Sequence, residues 1–421
     1  FDDPDEDSVP EALIKRVGGG AIGMIAATRI GFHASNIELA RNFHERMFRS
    51  GRRHVPVGLA LLEAKMATDA NPENVRRYSL FGDPLTRLSL PILGISLEIP
   101  DTLRALGVAK VRGAVIGEDG SMQPGFSGQV RVRVFDSVVT RRELRRGELL
   151  VYERPVAALF RGTFAVVNGR FEGEFPVPKD ITYRGARGRV SAYAWSDRES
   201  AFGSAKDLVL AGTAKDAAVD SEGPDISIGF AGQRFLSGDF VPPHPRLLVA
   251  IGDASGINVT GEVGHRITLT VDGRLTDVTA LYETSGDYRE GGLTTDLPQL
   301  EPGAHSIRLE AWDTHNNWSE REVIAVVAAA PAVADALFYP NPSTGDGYFT
   351  FVLSAPAEVR IRVFSVSGKR LGEMRAEGQL GYNQVAWQSG AELANGSYIY
   401  RISARGEGGA ASAEGVIQIA R

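Results

Sequence analysis

Phe81-Gly82-Asp83-Pro84 divides this sequence into two regimes. Before it, helical and strand patterns alternate; after it, period-two patterns take over. Working upstream, Asn71-Pro72 breaks a helical pattern over 57–67 in which Leu59, Leu62 and Met66 fall near one face. An earlier helix is predicted over 36–49, reached by a loop over 29–35. Ala21–Thr28 (AIGMIAAT) is a short apolar run of the kind that forms a central parallel strand covered on both faces. Ser8-Val9-Pro10-Glu11 is a capping box with proline inside the first turn, so a helix should run over 9–16 and end at Gly18-Gly19-Gly20. This is α/β architecture with its first strands absent. A half-domain of this kind leaves a sheet edge uncovered, and a further segment is expected to complete it.

Downstream, strands are predicted from Leu88 to Ile99, then at Gln129–Phe135 (QVRVRVF), Arg189–Trp195 (RVSAYAW), Arg266–Val271 and Ser306–Trp312 (SIRLEAW). Turn clusters separate them, which predicts two antiparallel sandwich-like units over 92–222 and 223–328. Ala328-Ala329-Ala330-Pro331-Ala332 reads as a linker. The last unit, 337–421, carries short strand patterns at 348–353, 358–366, 383–387, 397–404 and 411–419.

Composition narrows the chemistry. With 43% hydrophobic and 23% charged residues over 421 positions, the chain is ordinary globular protein with room for several domains. A formal net charge of −6 argues against a nucleic-acid partner, and the basic cluster Arg141-Arg142-Glu143-Leu144-Arg145-Arg146 is broken by a carboxylate. There are no cysteines, so this chain holds no disulfide, no zinc-thiolate site and no thiol nucleophile. No apolar run is long enough to span a bilayer as a helix.

Two stretches carry a resemblance. In the last unit, Tyr339-Pro340-Asn341-Pro342 precedes Val359-Arg360-Ile361-Arg362-Val363-Phe364 and Ser367-Gly368-Lys369. Gly381-Tyr382-Asn383, Trp387 and Asn395-Gly396-Ser397-Tyr398-Ile399-Tyr400 follow. This series resembles the C-terminal domain of the Bacteroidetes type IX secretion system, an immunoglobulin-like fold related to the flagellar hook cap. Its residues support that reading independently: the prolines favour an extended lead-in, and Trp387 with Tyr398 or Tyr400 can fill a small core. The first ninety or so residues resemble the end of the gingipain-type cysteine peptidase domain, which is caspase-like. The matching pieces are Gly19-Gly20-Ala21-Ile22, Ala27-Thr28-Arg29 and the closing Phe81-Gly82-Asp83-Pro84.

Together with Asp253-Ala254-Ser255-Gly256-Ile257-Asn258, Gly264-His265-Arg266-Ile267-Thr268-Leu269 and Ala311-Trp312-Asp313-Thr314-His315-Asn316-Asn317, the order of parts resembles the type IX sortases. The resemblance implies a cell-surface transpeptidase on the extracellular face of the outer membrane. Such an enzyme removes the C-terminal signal of type IX cargo through a Cys thioester and passes the cargo to a lipopolysaccharide amine. It implies as partners an N-terminal fragment carrying the Cys and His ahead of Phe1, cargo C-terminal domains, attachment-complex and shuttle proteins, and the lipopolysaccharide acceptor. No catalytic residue is then expected within this chain. Two other readings stay open: a non-catalytic adhesin or scaffold with a gingipain-like remnant, and a gingipain-like protease that is itself cargo.

Candidate contact residues follow from position. Thr28, Arg29, Phe32 and His33 succeed the strand at 21–28, and loops at the carboxyl edge of such strands line ligand crevices. The resemblance places a substrate-pocket wall there. Asp2, Asp3 and Asp5 form an acidic loop that offers oxygen ligands to a hard cation such as Ca²⁺, although carboxylates also belong at a helix N-terminus. No cofactor is required by the chemistry. Asp253, Ser255 and Asn258 read either as a cation site or, more simply, as Asx turns, and His315-Asn316-Asn317 as the close of a strand-end turn. His44 and His54 read as surface residues.

Overall fold

The computed structural model describes residues 7–48, 55–68, 71–137, 139–145, 148–154, 158–183, 186–261, 264–388, 393–406 and 408–421. The chain divides into two units, one over 1–94 with 117–120 and 199–201, the other over 95–116, 121–198 and 202–421.

The first unit is the α/β part. Helix α1 (Val9–Lys15) starts at the expected capping box, where the Glu11 carboxylate accepts from both the N–H and the hydroxyl of Ser8. Strand β1 (Met24–Ala27), helix α2 (His33–Phe48), helix α3 (Val57–Met66), the short helix α4 (Pro72–Arg76) and strand β2 (Tyr78–Phe81) follow. β1 pairs antiparallel with β2, from Met24 opposite Phe81 to Ala27 opposite Tyr78. The expected parallel, doubly covered strand is therefore corrected: its partner within the chain is the antiparallel segment that ends at Phe81, and both strands stay half-buried. α2 begins three residues earlier than the periodicity indicated, so His33 is helical.

The buried face of α3 also differs from the expected leucine stripe. Leu59, Leu62 and Met66 are exposed, while Ala60, Leu61 and Ala64 are buried. Small side chains let α3 lie close to α2: Ala64 joins Leu39 and Val75, and Ala60 joins Met47 and Val55. Close approach of two helix backbones outweighs the larger burial that leucines would have provided.

The second unit is β. Its strands include a twelve-stranded sheet whose order runs 170–176, 108–116, 93–98, 200–213, 186–195, 128–135, 158–166, 283–285, 287–296, 246–252 and 225–230, with 102–105 pairing 200–213. The sheet passes through the position expected as a domain boundary at 222/223. The join is parallel pairing of Thr284 with Gly162 and of Ser285 with Thr163. Gly162 makes the join feasible, since a Cβ there would lie 2.5 Å from the Thr284 hydroxyl and 2.3 Å from the Phe160 ring. A four-stranded sheet in the order 274–277, 268–271, 303–312 and 318–327 lies in the same part of the chain. Its Ile307 and Leu309 share one core with Leu247, Val249 and Ile251 of the large sheet.

The chain closes with a three-stranded sheet (333–339, 347–353, 381–387) and a four-stranded one (370–378, 357–365, 396–406, 409–419). Strand pairing begins at Val333, four residues before the expected start of the last unit at 337. The two sheets enclose Phe338, Phe349, Phe351, Trp387, Tyr400, Ile402 and Ile417. Trp387 and Tyr400 occupy the core as their sequence positions predicted, and the Tyr400 hydroxyl donates to the Ala336 carbonyl at 2.7 Å.

Candidate functional site

The loop after β1 is held by the polypeptide around α4. Thr28 donates to the Arg77 carbonyl twice, through its N–H at 2.7 Å and its hydroxyl at 3.0 Å. The Arg77 guanidinium donates back to the Ile30 carbonyl. The Phe32 N–H donates to the Asn74 carboxamide oxygen at 2.7 Å, and the Asn74 carboxamide N–H donates to Asn36 Oδ1 at 2.8 Å. Asn74 is fully buried, and its backbone N–H is itself capped by Asn71 Oδ1 at 3.2 Å. Gly31 leaves room for this closure: a Cβ there would lie 2.8 Å from Asn74 Oδ1 and 3.2 Å from Asn36 Oδ1, and those carboxamides would have to shift.

With its backbone pinned at Thr28, Ile30 and Phe32, the loop presents side chains outward. Ile30 is 91% exposed and Phe32 59% exposed, and Arg29 and His33 are also exposed. The Phe32 carbonyl accepts the first helical bond of α2, from Asn36 N–H at 3.1 Å, so His33 occupies the first turn. Of the four residues singled out from the sequence, Thr28, Arg29 and Phe32 lie in the loop and His33 opens α2. Thr28 serves the backbone anchorage, while Arg29, Phe32 and His33 are exposed. The residues that do the holding, Gly31, Asn36, Asn74 and Arg77, were not foreseen. Their only signal was Asn71-Pro72, which reads as a helix break and gives no hint that Asn74 reaches back to the loop.

Asp2, Asp3 and Asp5, and also His54, lie outside the described residues. His44 sits on the exposed side of α2, its Nδ1 2.7 Å from the Ala40 carbonyl and its ring stacked on Phe48.

In the second unit the Asp253 and Asn258 region forms turns. The Asp253 carboxylate accepts the Ser255 N–H and hydroxyl, both at 2.7 Å, and Asn258 Oδ1 accepts the Thr260 N–H and hydroxyl. Asn258, fully buried, then links outward: its amide N–H group donates to Asp180 at 3.1 Å and to Asn316 at 3.0 Å. Asp180 also receives Asn316 Nδ2 at 2.9 Å and lies 2.6 Å from His265 Nδ1, whose ring meets Trp312 edge-on. The motif residues around 253–258, 264–269 and 311–317 thus close one hydrogen-bonded knot. Asp220, Asp313 and His315 bring three donor atoms within 4.8 Å of one another. Asp313 is nevertheless already held by the N–H groups of His315 and Asn317 and by the Asn317 side chain, so a turn accounts for its placement. Burial pushes the Asp253 and Asp313 carboxyls up, and the neighbouring carboxylates add to this. Ser255 uses its hydroxyl on Asp253, so it is not paired with a histidine base.

Residues 1–89 match the family model of peptidase family C25. The C25 segment ends just after Phe81-Gly82-Asp83-Pro84 and contains the whole pinned loop. Over 94% of its length the chain is similar to dimeric latent PorU from Porphyromonas gingivalis, at 26% identity and a TM-score of 0.39. It covers 41% of that protein, so it spans less than half of PorU's length. It is also similar, at 11% identity and a TM-score of 0.24, to SGBP-B of the Bacteroides ovatus mixed-linkage glucan utilization locus, covering 77% of this chain and 70% of that one. A tetra-tandem repeat from the extending region of a large adhesion protein matches at 16% identity and a TM-score of 0.18, over 82% of this chain and 77% of that one. No curated protein matches the chain. Among the described residues, no helix is long and apolar enough to cross a membrane.

Proposed function

We propose that the chain is the C-terminal part of a cell-surface sortase of the gingipain class. The C25 match over residues 1–89 carries this reading. The type IX-like order of motifs in the last unit supports it from the other end. The chain has no cysteine, so in this reading the nucleophile belongs to polypeptide outside it, and the resemblance to gingipain-type peptidases places its histidine base there too. The thiolate attacks the carbonyl at the end of the mature cargo, expelling the C-terminal signal and leaving a thioester. An amine of lipopolysaccharide then attacks the thioester and regenerates the thiol. A thioester suits transfer because it persists long enough for an amine to arrive.

Within this scheme the loop at 28–33 is one wall of the cargo pocket, with Phe32 and His33 as its contact residues. The β units hold the peptidase part at the cell surface, facing cargo domains and attachment-complex and shuttle partners. The test uses the full-length protein with a cargo still bearing its C-terminal signal. Loss of the signal, together with covalent transfer to lipopolysaccharide, is expected, and both should stop when thiols are alkylated. Processing that survives complete alkylation would rule the scheme out.

A further inference from the structure

Val139–Arg145 and Glu148–Arg154 pair as a two-stranded sheet that joins no other strand among the described residues. Leu144 is 73% exposed, Leu149 62%, Val151 54%, Leu150 45% and Tyr152 39%. Scattered apolar residues are ordinary on a protein surface, but five large ones on one hairpin are not. The register sets Leu144 opposite Leu149 and Arg142 opposite Val151 on one face, with Glu143 opposite Leu150, and Tyr152 two residues on, on the other. Apolar side chains therefore leave the ribbon on both faces. A protein groove covers one face of a ribbon, whereas a fluid bilayer surrounds both.

Charge points the same way. The sequence from 141 to 154 holds five arginines against three glutamates, in a chain whose net charge is −6. A locally cationic, apolar projection from an acidic protein is complementary to anionic headgroups. Arginine stems can lie along the apolar band with the guanidinium among phosphates, and tyrosine favours the same depth. The outer edges of both strands have no ladder partner among the described residues, so the hydrocarbon interior is closed to them. The headgroup–acyl boundary is the depth that satisfies both demands.

We propose that this hairpin docks onto the surface of a bilayer containing anionic phospholipid, as a shallow anchor. The proposal is independent of the peptidase reading. It is tested by flotation of the full chain with phosphatidylcholine vesicles, with and without phosphatidylglycerol. The chain should float with the anionic vesicles and be released by salt. Leu149→Glu with Leu150→Glu should lower the bound fraction at least about tenfold, since two apolar side chains lose their burial. Both residues are exposed, so the variant should melt as the wild type does. Absence of wild-type binding, or undiminished binding by the variant, overturns the proposal. So does a wild type that self-associates without floating and becomes monomeric in the variant, which would make the hairpin a contact between copies.

Discussion

Asn74, fully buried, accepts the Phe32 backbone N–H on its carboxamide oxygen at 2.7 Å. The bond joins positions 42 residues apart and fixes where the exposed Phe32 ring leaves the surface. A loop that owes its shape to a buried side chain elsewhere can be tested at that side chain without altering any group that would touch a ligand.

Asn74→Ala removes that acceptor and the donor to Asn36 together. The Phe32 N–H and Asn36 Oδ1 then lose their partners in a partly closed site, which should destabilise the first unit by about 1–3 kcal/mol. Chemical denaturation of the full-length protein would read this, and limited proteolysis should begin near 29–32. Asn74→Asp keeps the acceptor for Phe32 but buries a carboxylate and turns an oxygen toward Asn36 Oδ1, so near neutral pH it should be at least as destabilised as Asn74→Ala. An alanine variant as stable and as protease-resistant as wild type would mean that Asn74 does not hold the loop.

Phe32→Ala with His33→Ala addresses the loop's outward face. Both side chains are exposed, so stability should change by no more than about 0.5 kcal/mol. If they contact cargo, signal removal by the full-length enzyme should slow by about tenfold, equivalent to some 1.4 kcal/mol of transition-state binding. Unchanged processing would remove this loop from the pocket.

Much of the scaffold was legible because its signals are local. The Ser8–Glu11 capping box, the period-two run at 128–135 and the aromatic core positions Trp387 and Tyr400 need only neighbouring residues to be read. What escaped was set by distant partners. Nothing near Met24–Ala27 announces that Tyr78–Phe81 will be its antiparallel neighbour. Nothing near Thr284 announces the parallel join to Gly162, because the required glycine lies 122 residues earlier. The loop after Met24–Ala27 was expected over 29–35 but gives way to helix at His33. Asn74 and Gly31 were invisible because a buried polar anchor looks like any other polar residue until its partners are in view.

The terminal sandwich gives a sharper energetic test. Trp387 is 3% exposed and packs edge-on against Phe338. Trp387→Ala should therefore destabilise the unit by about 3–5 kcal/mol, through lost burial and the cavity left behind. Tyr400→Phe keeps the ring and removes only the hydroxyl bonded to the Ala336 carbonyl. Its cost should be smaller, about 1–3 kcal/mol, for the acceptor left unpaired. If the two variants melted alike, the core would not be organised around the indole.

His305 gives the chain a pH-dependent contact of predictable sign. Its Nδ1 lies 2.6 Å from Asp272 Oδ2 and its Nε2 lies 2.6 Å from the Glu301 carbonyl. Both neighbours are acceptors, so only the doubly protonated ring satisfies both, and the Asp272 carboxylate leads in raising the His305 pKa above its ordinary value. A pKa raised on folding contributes stability that is fully present below the unfolded value of about 6.5 and is lost as pH climbs through the folded value. Asp272→Asn weakens the contact while still tolerating the left-handed backbone at this position, where φ is 49°. The stability deficit of the variant should be largest below about pH 6 and shrink toward pH 9. In parallel, proton NMR should find the His305 midpoint lower in the variant. A deficit that grows with pH would show that the ring is bound in its neutral form, with Asp272 acting only as a turn residue.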